Sequence, residues 1–224
     1  MPENENPAGL DARGHSGYSP MVLKVYDVWV HRFNNRLLWK CPTRSLVALY
    51  NEHITANHLE VGLGTGYLLD RCVMPSRNPR LVFCDMNPNC LHMASGRLRR
   101  YAPATFRRNV LEPMDGLGAR FQSAGLNYVL HCLPGDLQSK RAALEHIKAW
   151  LEPGGILFGS TILGREVPVN WLARKQLKAF NRSGAFSNLN DSLSGLKTIL
   201  GETFAVSDVQ VHGCVALFWA LTAE

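Results

Sequence analysis

A chain of 224 residues with 46% hydrophobic content is long enough to bury one α/β core and too short for two ordinary domains with linkers. None of its apolar runs approaches the ~20 residues that a membrane span requires. Its six cysteines, at 41, 72, 84, 90, 132 and 214, form no C-x-x-C pair and read as reduced thiols of a cytoplasmic protein, mostly small core residues. The net charge of +6 is modest. Arg97, Arg99, Arg100, Arg107 and Arg108 crowd one region, but no RNA-binding module accompanies them, and a solvated helix face is the better account.

In chain order, residues 1–19 are polar and Gly/Pro-rich and read as a flexible N-terminus. From Pro20 to about Trp39, Val22, Val25, Tyr26, Trp29, Val30, Phe33 and Leu37 recur at helical spacing. Cys41-Pro42 ends that helix, and Thr43 is positioned to cap a second one through about His53. Residues 20–54 therefore precede the sheet.

The stretch from His58 to Asp70, HLEVGLGTGYLLD, reads as a buried strand, a glycine turn and the start of a helix. Gly62, Gly64 and Gly66 let the backbone bend sharply and leave no Cβ to hold a ligand off the main chain. A dinucleotide site prefers G-x-G-x-x-G, so that the helix N–H groups address a pyrophosphate. Here the third glycine comes one residue early, and Glu60 would repel a pyrophosphate. A carboxylate at that point suits a ligand carrying an ammonium and no phosphate, and S-adenosylmethionine fits.

The run acid-x-Gly-x-Gly-x-Gly resembles motif I of the class I S-adenosylmethionine-dependent methyltransferases, complete at Glu60, Gly62, Gly64 and Gly66. A glycine triad alone would fit any tight strand-to-helix turn. The resemblance implies a Rossmann-like α/β fold over residues 55–224: a mostly parallel seven-stranded sheet with an antiparallel last strand and helices on both faces. It also implies that the helices of residues 20–54 form a lid over the cofactor, with Tyr18, Tyr26, Trp29 and Trp39 as candidates for the substrate pocket.

Beyond the turn, a helix is predicted from Tyr67 to Val73, stopped by Pro75, and Arg80 to Asp85 is the second strand. A carboxylate at this strand tip can accept both hydrogen bonds of a ribose diol, in NAD and S-adenosylmethionine sites alike. The resemblance puts Asp85 on the ribose and Met86 on the adenine face. Pro88 starts a helix to about Tyr101, and Ala104 to Arg108 is a third strand, followed by Asn109-Val110-Leu111. The family often has Asp where Asn109 stands; an amide oxygen can still accept from the adenine amino group, with Val110 beside it.

Leu126 to His131 is the predicted fourth strand, a nearly unbroken apolar run suited to a central position. By resemblance its end lies in the motif IV region beside the sulfonium. His131 is therefore a candidate cofactor contact and general base, or alternatively a strand-end residue bonded to backbone. A helix from Leu137 to Leu151 follows. Glu152-Pro153-Gly154-Gly155 resembles the turn before strand five of this fold, ahead of a strand from Ile156 to Ile162. An insert at 164–201, with helices near 169–180 and 191–200, brings Trp171, Phe180, Phe186 and Asn188 as residues that could face a substrate. Ala205 to Val211 and Cys214 to Leu221 close the sheet as a hairpin. The eight histidines lack zinc-site spacing, so no metal is expected.

The resemblance is to small, type 12-like enzymes of specialised metabolism. It implies methyl transfer from S-adenosyl-L-methionine to an oxygen, nitrogen or carbon of a small-molecule acceptor. Membrane and nucleic-acid partners are not expected, and the oligomeric state is open, a homodimer included. Two rivals stand beside this reading. An RNA or protein methyltransferase would use the arginine cluster but lacks an Asn/Asp-Pro-Pro-Tyr/Phe tetrad at strand four. A pathway cyclase or partner subunit would keep the fold without transferring a methyl group.

Overall fold

Seven strands in the order β3-β2-β1-β4-β5-β7-β6 form one sheet in a computed structural model that describes residues 38–224. The helix read over 20–39 falls almost wholly outside the described residues, as do Tyr18, Tyr26 and Trp29. The strands are β1 (Asn57–Val61), β2 (Arg80–Asp85), β3 (Ala104–Arg107), β4 (Phe121–Asn127), β5 (Leu151–Ile162), β6 (Val206–His212) and β7 (Val215–Leu221). β1 pairs in parallel with β2 and β4, and β4 with β5. β7 returns antiparallel between β5 and β6. This is the Rossmann-like sheet with a reversed last strand.

Helices cover both faces, which is why β1 and β4 are buried along nearly their whole length. On one face α4 (Leu137–Lys148) and α6 (Leu193–Thr203) pack Ala143, Leu144, Ile147, Leu196 and Ile199 against Leu59, Val61 and Leu157. On the other, α1 (Thr43–His53), α2 (Tyr67–Arg71), α3 (Pro88–Arg97) and α5 (Trp171–Arg182) enclose Phe83, Phe158 and Leu217. The helix starts are chemically set. Asn87, Asp136, Asn170 and Ser192 each accept from a first-turn N–H, and Pro88 sits where a missing N–H costs nothing. α1 differs from expectation: Pro42 occupies the cap position, Thr43 is already helical, and no side chain caps the helix.

The fourth strand is displaced from its expected place. β4 begins at Phe121 and stops at Asn127, and the chain then leaves through Tyr128, at φ 58°, into a 3-10 turn over Leu130–Cys132. Ser123 and Gly125 disguised this strand, and its neighbour explains both. The Ser123 hydroxyl bonds to His58 on β1, and a Cβ on Gly125 would lie 2.5 Å from the Glu60 carboxylate. β5 starts earlier than expected because Leu151 pairs with Phe121 and Ile156 with Ser123. Glu152 to Gly155 thus form a bulge inside the strand, relieved by Gly154 at φ 70°.

Candidate functional site

A cavity of about 400 Å³ opens at the carboxyl edge of the sheet, where ligands bind in open α/β folds. Its middle is the turn after β1, with Gly62, Gly64 and Gly66 at φ 67°, 54° and 72°, a region that side chains resist. A Cβ on Gly62 would run into the Val129 side chain, and one on Gly66 would lie 3.0 Å from Ala94 of α3. A Cβ on Gly64 would meet no atom of the described residues within 4 Å. That glycine leaves bare main chain facing open space, a cradle that a side chain would fill.

Under the turn lies a buried chain of polar side chains. Glu60 is 1% exposed, yet each of its oxygens has a partner. Oε1 accepts from Tyr50 Oη at 2.6 Å and Oε2 from His58 Nε2 at 2.8 Å. His58 Nδ1 shares a hydrogen bond with the Ser123 hydroxyl at 2.8 Å, and Thr55 N–H donates to Ser123 Oγ at 3.0 Å. Burial, together with the Glu60 charge, raises the Tyr50 pKa well above 10, so the phenol keeps the proton it donates. Glu60 therefore forms the floor of the cavity, held by the protein on both oxygens.

Towards β2 the wall is Asp85, Met86, Asn87 and Asn109. Asp85 Oδ1 accepts from Asn87 N–H at 2.8 Å. Asn109 Oδ1 accepts from Leu111 N–H at 3.0 Å and Nδ2 donates to Glu112 at 2.9 Å, which leaves one lone pair on the amide oxygen. Val110 does not line the cavity. It points into the core, where it is buried, and its carbonyl is taken by His146 Nδ1.

Towards β4 the wall is Asn127, Tyr128, Val129, Cys132, Leu133 and Pro134, with Phe186 and Ser187 from the insert. His131 is not part of it. Because β4 ends four residues before it, the ring turns back into the protein, with Nδ1 3.3 Å from Ile162 N and 3.5 Å from Thr161 Oγ1. Its edge contacts with Phe186 and Tyr128 complete the burial. Burial, with the Lys140 charge nearby, pulls its pKa down to about 3. A base this weak, set behind the wall, does not serve as the proton acceptor expected of it. The neighbouring Cys132 reaches the cavity, but desolvation pushes its thiol up to about 12, so it stays protonated.

Trp171 also stands apart, at the first turn of α5 and 76% exposed. Asn188 is buried and bonded to Ile162 O and Asn181. The insert instead offers Phe186 and Ser187, held in place from below. Lys140 Nζ donates to Ser187 O at 2.5 Å and to Asp191 Oδ2 at 2.7 Å. Sequence reading missed Tyr50, Asn127, Tyr128 and Ser187. The Asn-Tyr pair interrupting the apolar run at 127–128 was the one visible signal.

The charge of the lining is one-sided. Among the described residues it includes the carboxylates of Glu60 and Asp85 and no lysine, arginine or histidine. Among the described residues no cluster of metal ligands occurs. A strand-tip acid, a bare glycine turn and a negative floor can hold a nucleoside bearing a cationic arm; they disfavour a pyrophosphate.

Comparison with known proteins agrees with this geometry. A family model described as a methyltransferase domain matches residues 59–157. Demethylluteothin O-methyltransferase of Streptomyces thioluteus is 37% identical, over 94% of this chain and 92% of its own. The physcion biosynthesis cluster O-methyltransferase of Aspergillus chevalieri is 35% identical over 93% and 95%. Among solved structures, DhpI in complex with SAH matches with a TM-score of 0.65 at 15% identity, covering 98% of this chain and 100% of that one. The N-methyltransferase NodS of Bradyrhizobium japonicum, bound to S-adenosyl-L-homocysteine, matches at 0.57 and 19% identity over 81% and 86%. At these identities the structural likeness is one of fold.

Proposed function

The chain belongs to the S-adenosylmethionine-dependent methyltransferases, and from that membership we propose that it methylates a hydroxyl oxygen of a small, largely apolar acceptor in specialised metabolism. The observation that carries this reading is the acid-lined, phosphate-averse cavity around the bare turn at Gly64. The O-methyltransferase relatives support oxygen as the attacking atom.

S-adenosylmethionine, when bound, would supply an electrophilic methyl group on a sulfonium, and the proton of the hydroxyl acceptor would be released to solvent. The residues of this chain bind and orient. Asp85 accepts from the ribose diol, Met86 and Asn109 receive the adenine, and the glycine turn lets the nucleoside lie against main chain. Glu60 makes the floor negative beneath a cationic ligand. Leu133, Pro134 and Phe186 offer the acceptor an apolar wall that excludes water. Holding acceptor oxygen and methyl in line is worth several kcal/mol of barrier.

Tyr18, Tyr26 and Trp29 are assigned to the acceptor side of the site. This assignment is supported by Trp39, whose ring lies 6.4 Å from Phe186 of the cavity wall. The same reading has a cytoplasmic protein acting on a small molecule without nucleic acid. Arg100 pairs with Asp70 at 2.8 Å, Arg107 donates to Met86 O and Arg108 to Asp115 O, so the arginine cluster is largely spent on the protein itself. No helix among the described residues is long and apolar enough to cross a membrane.

The test is calorimetric titration with S-adenosylhomocysteine, followed by mass spectrometry of phenol, enol and amine acceptors incubated with protein and S-adenosylmethionine. Binding with one-methyl mass gain on a hydroxyl acceptor is the expected result. Failure to bind the nucleoside, with uptake of a pyridine dinucleotide instead, would sink the proposal.

A further inference from the structure

Two buried side-chain atoms lack a hydrogen-bond partner among the described residues, His53 Nε2 and Asn127 Nδ2. The second lines the cavity. Asn127 closes β4 and is 7% exposed, so its idle donor is not satisfied by bulk water, and buried polar groups are rarely left so. The orientation of the amide is fixed from two sides. Oδ1 accepts from Ser160 Oγ at 3.0 Å on β5. On the other side is the Tyr50 oxygen, whose proton is already given to Glu60. A tyrosine in that state presents lone pairs, so it is the NH₂ end of the amide that faces it.

Neither Tyr50 nor Glu60 absorbs this donor as they stand. The amide lies near enough to the Tyr50 oxygen to ease the phenol pKa down a little but does not reach full hydrogen-bond geometry, and a second N–H remains on the same nitrogen; Glu60 is already bonded to Tyr50 and His58. The donor waits for something that enters the cavity. Sheet order says which part of a nucleoside reaches it. Asp85 ends β2 and Asn127 ends β4, on opposite sides of β1 and its glycine turn. With the sugar at Asp85, the substituent on its 5′ carbon crosses the turn towards Asn127.

Resting on the S-adenosylmethionine reading above, we propose that Asn127 is the specificity residue for the amino-acid arm. Its Nδ2–H donates to the carboxylate of that arm, while the ammonium lies towards the negative floor at Glu60. An N–H donor pairs with the anionic end of a zwitterion and not with its ammonium. Asn127 thereby separates the complete nucleoside–amino acid from the bare nucleoside, which Asp85 and the glycine turn would hold equally well.

Three ligands test this by calorimetry: S-adenosylhomocysteine, its decarboxylated analogue that keeps the amine, and 5′-methylthioadenosine, which lacks the whole arm. Asn127→Leu should weaken S-adenosylhomocysteine by about ten- to a hundredfold, the range for a hydrogen bond to a charged group, and leave the other two within about twofold. Asn127→Asp, close in shape, should weaken S-adenosylhomocysteine at least as much through like-charge repulsion, and it serves if the leucine variant does not fold. Equal losses for all three ligands, or no loss for any, overturn the assignment to the carboxylate. Failure of the unsubstituted protein to bind any of the three removes the cofactor reading itself, and this inference with it.

Discussion

The substitution His131→Asn should make the protein more resistant to acid, by an amount that follows from the burial of the ring. His131 is 3% exposed, and desolvation together with the Lys140 charge lowers its pKa from 6.5 to about 3. The unfolded chain takes up a proton here below about pH 6.5, whereas the native state stays neutral until about pH 3. The contribution to stability is therefore complete above pH 6.5 and is lost as the pH falls towards 3. From those two values, lowering the pH from about 7.5 to about 5 costs roughly 2 kcal/mol at this one site. The introduced amide would keep an acceptor for Ile162 N–H and cannot titrate. Urea unfolding of both proteins at the two pH values isolates the difference, because every other titrating group is shared. The unsubstituted protein should lose roughly 2 kcal/mol more than the variant, and methyl transfer should survive the substitution. Equal acid losses, together with a collapse of turnover, would refute the buried neutral ring and restore His131 as the base.

Asp85→Ala and Gly64→Val should each abolish calorimetric binding of S-adenosylhomocysteine, the first by removing the ribose acceptor and the second by filling the cradle with a branched side chain at a positive φ. Gly125→Ala brings a Cβ to 2.5 Å from Glu60 Oε2; it should cost about 1–3 kcal/mol in denaturant unfolding, as overpacking does, and weaken ligand binding as the carboxylate is displaced. Lys140→Met strands the Asp191 carboxylate, 2% exposed, and should cost about 3–5 kcal/mol. Adding Asp191→Leu should recover most of that loss, because burial already pushes the Lys140 pKa down and the Asp191 pKa up, both against the charged state.

The residues legible from sequence were those whose type is forced by the backbone or by a strand tip. Gly62, Gly64 and Gly66 take positive φ, Asp85 ends a strand of buried apolar residues, and Pro88 follows an Asn that caps. β4 was misplaced because its composition answers to its neighbour and not to its own periodicity. Ser123 is polar because His58 needs a partner, and Gly125 is small because Glu60 needs the volume. A five- or six-residue window cannot see a side chain on the adjacent strand. The error carried forward: a strand ending at His131 aims that ring at the ligand, whereas a strand ending at Asn127 aims the amide there and turns His131 inwards. In the insert, Trp171 and Phe186 looked alike as aromatics. Trp171 starts its helix on the outside, whereas the loop that brings Phe186 in is held by the Lys140 and His131 contacts with Ser187, neither of them local in sequence.

The two carboxylates of the cavity divide the electrostatic work through their surroundings. Asp85 is partly open at a strand tip, on the rim of the cavity. Glu60 is buried, and an unpaired charge there would be costly. The chain of Tyr50, His58, Ser123 and Thr55 offsets that cost during folding, because each oxygen of the acid has a partner before a ligand arrives. A satisfied network of this kind is rigid, so a cationic ligand meets a fixed negative surface with little reorganisation left for binding. The same rigidity would count against a phosphate. A pyrophosphate over this turn would face a carboxylate held on both oxygens, and among the described residues no lysine or arginine of the lining would offset the repulsion. On the reading proposed above, a sulfonium nucleoside would be favoured over a dinucleotide beneath the glycine turn, by which side chains hold the acid, as much as by the spacing of the glycines.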